Sequence, residues 1–149
     1  MGNVLHIFVA ATRGAPMELR DFVTALRDEG LVGDRYAVAA NRRGSDYQLT
    51  LIESENIQAF ARTVKWPFTP DMPRRNLVTR GVALNDLCGK RFQVGAAMLE
   101  GIELCEPCSL FARRTGREVL TYFRNRGGLR ARIVQGGEIR VGDAVIAID

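Results

Sequence analysis

Lysine is almost missing from this chain. Of its 21 cationic side chains only Lys65 and Lys90 are lysines, and the other 19 are arginines. Histidine occurs once, at His6, so no Ser-His-Asp triad can be built with assurance, and one imidazole on an apolar segment reads as structural. The three cysteines, Cys88, Cys105 and Cys108, are an odd set that leaves one unpaired in any disulfide scheme. The first residues, Met1 to Ile7, show no charged stretch, long apolar stretch or small-residue cleavage site of the export type, so the expectation is a reducing, cytoplasmic setting. No apolar run approaches the roughly 20 residues that span a bilayer, which excludes a helical membrane anchor from the reading. The net charge is +4, yet the basic residues are scattered, with no run of five and no aromatic-basic pattern, so nucleic acid is not an expected partner.

At 149 residues the chain suits one domain over 1–149, long enough to bury roughly 70 % of its unfolded surface without disulfide staples. It holds no repeat, low-complexity segment or linker. The arginine excess has two readings of equal weight. One is a GC-rich coding preference; the other is anion recognition, because the planar guanidinium fork matches phosphate and carboxylate. Only arginines inside motifs therefore carry an argument.

Val4 to Ala11 reads as a first strand, and Leu19, Phe22, Val23 and Leu26 fall at i, i+3, i+4, i+7, which predicts a helix ending near Gly30. Gln48 to Ile52 alternates as a strand. Ile57, Phe60, Ala61 and Val64 repeat the helical spacing, and Pro67 and Pro70 end that helix before an irregular loop. Glu53 and Glu55 at its start complement its dipole. Strands then follow at Asn76 to Thr79, Arg91 to Val94, Ala97 to Leu104, Ala131 to Gln135 and Ala144 to Ile148, with a helix near Glu118 to Phe123. Gly127-Gly128 and Gly136-Gly137 read as hairpin turns rather than phosphate nests, and Gly142-Asp143 as a turn. Closely spaced strands with glycine turns predict a mainly β, α+β fold: a curled, mostly antiparallel sheet or barrel with a few peripheral helices.

Two runs carry chemistry. Leu104-Cys105-Glu106-Pro107-Cys108-Ser109 concentrates two thiols at a turn, and a thiolate is a strong ligand for soft or redox-active metals. Arg74-Arg75-Asn76-Leu77-Val78-Thr79 offers two guanidiniums and an amide, and together the runs suit a cofactor that is metal at one end and anionic at the other. Plainer readings stand beside these. The C-x-x-C pair is also the pattern of a thioredoxin-like redox module, although Pro107 falls at the end of an apparent antiparallel strand and not at the start of a helix. Zinc would need Cys88 and His6 to complete a set at irregular spacing. The cysteines can also serve as small core residues, Asn76 can cap a turn, and Arg74 can pair with Asp71 or Asp86 on the surface.

A further ordered series joins these runs: Gly33-Asp34-Arg35-Tyr36, Leu49 to Glu53, Arg74 to Gly81, Gly89 to Gly95, Leu104 to Cys108, Arg126 to Arg130 and Gly136 to Asp143. In that order the chain, over about 31–148, resembles the MOSC domain, the molybdenum cofactor sulfurase C-terminal module, in its short stand-alone form. The resemblance implies a β-barrel-like fold that binds the molybdenum cofactor (molybdopterin), with Cys108 as ligand to the metal. It implies Arg74 and Asn76 as cofactor contacts with Arg75 beside them, and it leaves Asp34 and Arg35 open between cofactor contact and loop staple. Cys105 aligns less securely and is held as a second catalytic candidate. Neither lysine sits in a Schiff-base setting, so no pyridoxal phosphate is expected. The activity implied is a molybdenum-dependent oxidoreductase that reduces a small N-hydroxylated substrate, with electrons from a separate flavin or iron-sulfur protein. The alternatives are a non-catalytic carrier of the cofactor, or of sulfane sulfur on Cys105 or Cys108, and a simple C-x-x-C redox module.

Overall fold

A computed structural model of the protein describes residues 2–38, 48–107, 112–113 and 118–148. Eleven strands and two α-helices are named within them: β1 (Gly2–Val9), β2 (Glu18–Arg20), β3 (Phe22–Leu26), β4 (Gly30–Leu31), β5 (Leu49–Glu53), α1 (Ser54–Ala61), β6 (Leu77–Arg80), β7 (Arg91–Val94), β8 (Ala97–Leu104), α2 (Glu118–Tyr122), β9 (Leu129–Gln135), β10 (Gly137–Arg140) and β11 (Ala144–Ala147). The larger sheet runs β11-β7-β8-β9-β5-β6-β1-β2. Its first seven strands close on themselves, because Gly2 and Asn3 of β1 also pair with Val145 and Ala144 of β11. Closure satisfies the backbone groups that an open edge would leave to solvent. The β5–β6 pair is parallel, and the other pairings are antiparallel. The chain between that parallel pair carries α1, which crosses over the outside of the barrel as a parallel connection requires. The fold is therefore mainly β and barrel-like, as expected.

Alternation along the strands builds two apolar clusters. Ile7, Leu51 and Leu77 point into the barrel, where they join Leu49, Leu99, Leu129, Ile133 and Phe92. Their chain neighbours Phe8, Ile52 and Val78 point outward and pack with Ile57 and Phe60 of α1, Val119 of α2, Phe68 and Phe123. Among the described residues no helix is long and apolar enough to cross a membrane.

Two local readings of the sequence are corrected. The segment around Leu19 to Leu26 is not a helix but the strands β2 and β3, which run into β4. Its helical spacing is coincidental: in β3 Val23 and Ala25 are buried while Phe22 and Thr24 are exposed, which is a period of two. That alternation is satisfied by β10, whose Ile139 faces Val23 in register across a second, three-stranded sheet, β10-β3-β4. Gly136-Gly137 is likewise no hairpin turn, because β9 pairs with β5 and β8 whereas β10 pairs with β3. The glycines carry the chain from one sheet to the other. Gly142 does lie in a turn, at φ 96°, and the Asp143 carboxylate closes it by accepting the Arg140 N–H at 2.7 Å.

Candidate functional site

Asn76 stands immediately before β6 with no exposed surface. Its amide nitrogen donates to the Phe8 carbonyl at 3.0 Å, and its Oδ1 accepts the Thr50 N–H at 3.0 Å and the Thr50 hydroxyl at 3.3 Å. One side chain thus ties β1 and β5 to the start of β6. The amide uses both faces of its hydrogen-bonding capacity, which is what a buried amide requires. Asn76 does not cap a turn at the surface; it is part of the barrel wall.

Arg74 and Arg75 precede it, each 6 % exposed. Arg74 has a left-handed backbone, φ 61°, an uncommon conformation for a residue with a side chain. Its own N–H reaches the Asp71 carbonyl at 3.0 Å, and its guanidinium donates to the Ala15 carbonyl at 2.7 Å. Arg75 reaches another part of the chain: Nε donates to the Gly127 carbonyl at 2.8 Å and Nη2 to the Glu106 carbonyl at 2.9 Å. The two guanidiniums therefore bind separate segments, the β1–β2 loop and the Cys105–Pro107 strap.

Asp34 and Arg35 hold this arrangement from the side. Asp34 is completely buried; one of its oxygens accepts the Ala10 N–H at 3.0 Å and the Arg35 guanidinium at 3.0 Å, and the other accepts the Tyr36 N–H at 3.3 Å. Arg35 then donates to the Arg74 carbonyl at 3.4 Å. The Gly-Asp-Arg turn thus acts as a staple between the end of β1 and the arginine run. A buried ion pair is tolerable only when its remaining polar groups are bonded, and here they are.

Cys105 follows β8 directly, is 3 % exposed, and donates its N–H to the Gly128 carbonyl at 2.8 Å. Gly127 and Gly128 allow this approach. A Cβ on Gly127 would collide with the Cys105 carbonyl, one on Gly128 with the Leu51 carbonyl, and Gly128 has φ 110° besides. This pair is therefore a close-approach device and neither a hairpin turn nor a nest. Cys108 lies outside the described residues, two positions beyond the carbonyl that Arg75 holds. Cys88 is exposed, and its thiol meets the Ile102 carbonyl at 3.6 Å. Among the described residues no group of three or more His, Cys, Asp or Glu side chains could hold a metal ion.

Glu53 and Glu55 have a second duty besides the helix dipole. Glu55 accepts the Gly81 N–H at 2.7 Å and Glu53 the Leu84 N–H at 3.2 Å, anchoring the loop after β6. Burial pushes the Glu53 carboxyl above its ordinary value, opposed by the Leu84 hydrogen bond and reinforced by the charges of Glu55 and Asp86.

The donor set suits an anion. Arg75 spends two of its five N–H groups on carbonyls and meets no carboxylate among the described residues, so its nearly buried charge is not neutralised there. A guanidinium so placed is costly unless an anionic group approaches it. A phosphate-bearing cofactor would provide one. The staple was not foreseeable from composition, although the Gly-Asp-Arg-Tyr motif did mark its residues.

Comparison with known proteins gives a family and a fold. A family model described as MOSC domain matches residues 20–146. Among solved structures, the YuaD protein of Bacillus subtilis has a TM-score of 0.79 at 17 % identity, over 97 % of this chain and 94 % of that one. YiiM of Geobacillus stearothermophilus has a TM-score of 0.80 at 17 % identity, over 100 % and 76 % of the two chains. YiiM of Escherichia coli has a TM-score of 0.70 at 18 % identity, over 97 % and 69 %. At such identities the likeness is one of fold. No curated protein matches the chain.

Proposed function

This chain belongs to the MOSC domain family, a family associated with molybdenum cofactor binding, and from that premise we propose that it binds the molybdenum cofactor where the arginine run meets the cysteine strap and works as a molybdenum-dependent reductase of small N-hydroxylated compounds. The observation that carries the reading is the Arg75 fork, which joins residue 75 to the carbonyls of Gly127 and Glu106 and so brings the anion-binding run beside the chain leading to Cys108. The bound cofactor would supply a metal that accepts and returns electron pairs. Arg75 offers its remaining N–H groups to the cofactor's phosphate, and Arg74 takes a place beside it. Asn76, Asp34 and Arg35 bond to protein groups, and this network holds the arginines in place. Cys108 serves as the thiolate ligand. Electrons come from a separate flavin or iron-sulfur partner, and the setting is cytoplasmic.

A sulfur-carrying role would require a thiol that a donor can reach. Cys105 is 3 % exposed, so that alternative narrows to Cys108. The deciding experiment purifies the chain from a host that makes the cofactor, then measures molybdenum, released pterin fluorescence and turnover of an amidoxime with a chemical reductant. Bound cofactor with turnover is expected. Cofactor without turnover favours the cofactor carrier, and protein with neither favours a simple redox or anion-binding module. Arg75→Lys, and to a smaller extent Arg74→Lys, is expected to retain less cofactor although it keeps the charge, since an ammonium cannot reproduce the fork. Cys108→Ser is expected to abolish turnover and remove one sulfur from the metal's X-ray absorption signature, whereas Cys105→Ser is milder. A Cys108→Ser protein with full metal, an unchanged sulfur count and full turnover would sink the ligand assignment.

A further inference from the structure

Far from that site in function, the corner where β2 passes into β3 exposes apolar surface that nothing in the cofactor reading uses. Leu19, Phe22 and Val32 are 61, 48 and 51 % exposed, and all three line one open groove of about 430 Å³ together with Arg20 and Asp21. Val141, 45 % exposed, stands beside it with its N–H on the Asp21 carbonyl at 3.0 Å. Exposed apolar residues scattered singly need no explanation, but several sharing one groove mark a surface that is covered.

β2 is also the end strand of the larger sheet, paired with β1 and with no second strand among the described residues. An edge strand is a template for another strand. Its three residues are Glu18, Leu19 and Arg20, with the two charges on one face 3.3 Å apart and Leu19 between them in sequence. That order is its own complement. When two copies pair antiparallel about Leu19, Glu18 faces the other copy's Arg20 and Arg20 faces the other's Glu18, while a parallel pairing sets like charges together. The chain as a whole carries +4, so two copies repel over most of their surfaces. This corner differs: Glu18 pairs with Arg20 and Glu138 with Arg140, Asp21 adds a further carboxylate, and Arg140 lies over the Phe22 ring at 4.9 Å.

We propose that β2 and the groove beside it form a two-fold interface with a second copy of this chain, joining two barrels edge to edge through antiparallel β2 strands and covering Leu19, Phe22 and Val32. A three-residue strand and a small apolar groove cover less than the roughly 1,600 Å² of a standard stable interface, so the dimer is reversible and depends on concentration.

Sedimentation velocity of the full chain across a dilution series tests this. The wild type is expected to shift from monomer to dimer as concentration rises, and Leu19→Asp to remain a monomer throughout with an unchanged melting temperature. Glu18→Arg and Arg20→Glu are each expected to lose the dimer alone, because each sets like charges across the two-fold axis. An equimolar mixture of those two variants is expected to recover it as a heterodimer. A wild type that stays monomeric at every concentration, a dimer that survives Leu19→Asp, or a mixture that fails to recover association would each overturn the interface.

Discussion

The inside of the barrel and the cluster outside it are both apolar, yet they are filled with different side chains. Inside, the residues are branched aliphatics and alanines with Phe92 as the aromatic member; outside, Phe8, Phe60, Phe68 and Phe123 are buried together, with Trp66 and Tyr122 partly covered. A closed barrel of few strands has a narrow interior that alternating aliphatics fill in layers. The gap between a curved wall and two short helices is wider and irregular, and there rings meet at angles: Phe60 lies 4.8 Å from Phe68, 5.0 Å from Tyr122 and 5.3 Å from Phe123 between centroids. The interior is thus shared by all strands of the ring. The outer cluster belongs to the β5–α1–β6 crossover and the α2 region, and the two should fail in different ways.

The largest effect is expected inside. Phe92→Ala empties a fully buried site where opposing strands cannot collapse, at a cost of about 3–5 kcal/mol, seen as a lower urea midpoint with an unchanged slope. Amide exchange should quicken in all the barrel strands together; acceleration limited to β7 and its neighbours would break the comparison. Phe60→Ala should cost about 3 kcal/mol, the low end of the same range, because partly exposed Trp66 and Tyr122 can move inward. Its faster exchange should be confined to α1, α2 and the segment near Phe68, leaving the barrel protected. Uniform acceleration would instead make the two clusters one cooperative unit.

Asn76 sits where these regions meet the candidate site, and its loss should be intermediate. Asn76→Ala strands the Thr50 N–H and the Phe8 carbonyl in the interior, costing about 1–3 kcal/mol. Asn76→Asp should fail to rescue it, since a carboxylate cannot donate to Phe8. An aspartate variant as stable as the wild type would show that water replaces that donor.

The smallest effect concerns Glu53, at the junction of β5 with α1. Its carboxyl is raised by burial, so the native state keeps this proton to higher pH than the unfolded chain does, and the group favours folding in acid and disfavours it as pH rises through its folded value. Glu53→Gln keeps an acceptor for the Leu84 N–H without the charge. A thermal-melt pH series should show a small gain over the wild type at neutral pH that disappears in acid. A gain that grew toward acid would reverse the sign.

Legibility followed the range of the interactions. β7 and β8 have the bounds read from their alternation, α1 lies where helical spacing and the prolines after it put it, and α2 falls within the stretch Glu118 to Phe123 read as helical, because each is dictated by neighbours in sequence. β2, β3 and β4 were misread, since Leu19, Phe22, Val23 and Leu26 satisfy a helical period that only the pairing with β10 rules out. At the site, the motifs marked Asp34, Arg35, Arg74, Arg75 and Asn76, but their duties depend on partners 24 to 68 positions away.

Side-chain periodicity was enough to indicate a mostly antiparallel β protein, because alternation acts over a few residues, and the ordered motifs carried the resemblance to the MOSC family. Which strand closes the ring, which guanidinium holds which carbonyl, and that Gly127 and Gly128 serve close approach were decided only when distant segments met. A buried donor must take whichever acceptor the closed barrel brings to it, and no local pattern names that acceptor in advance.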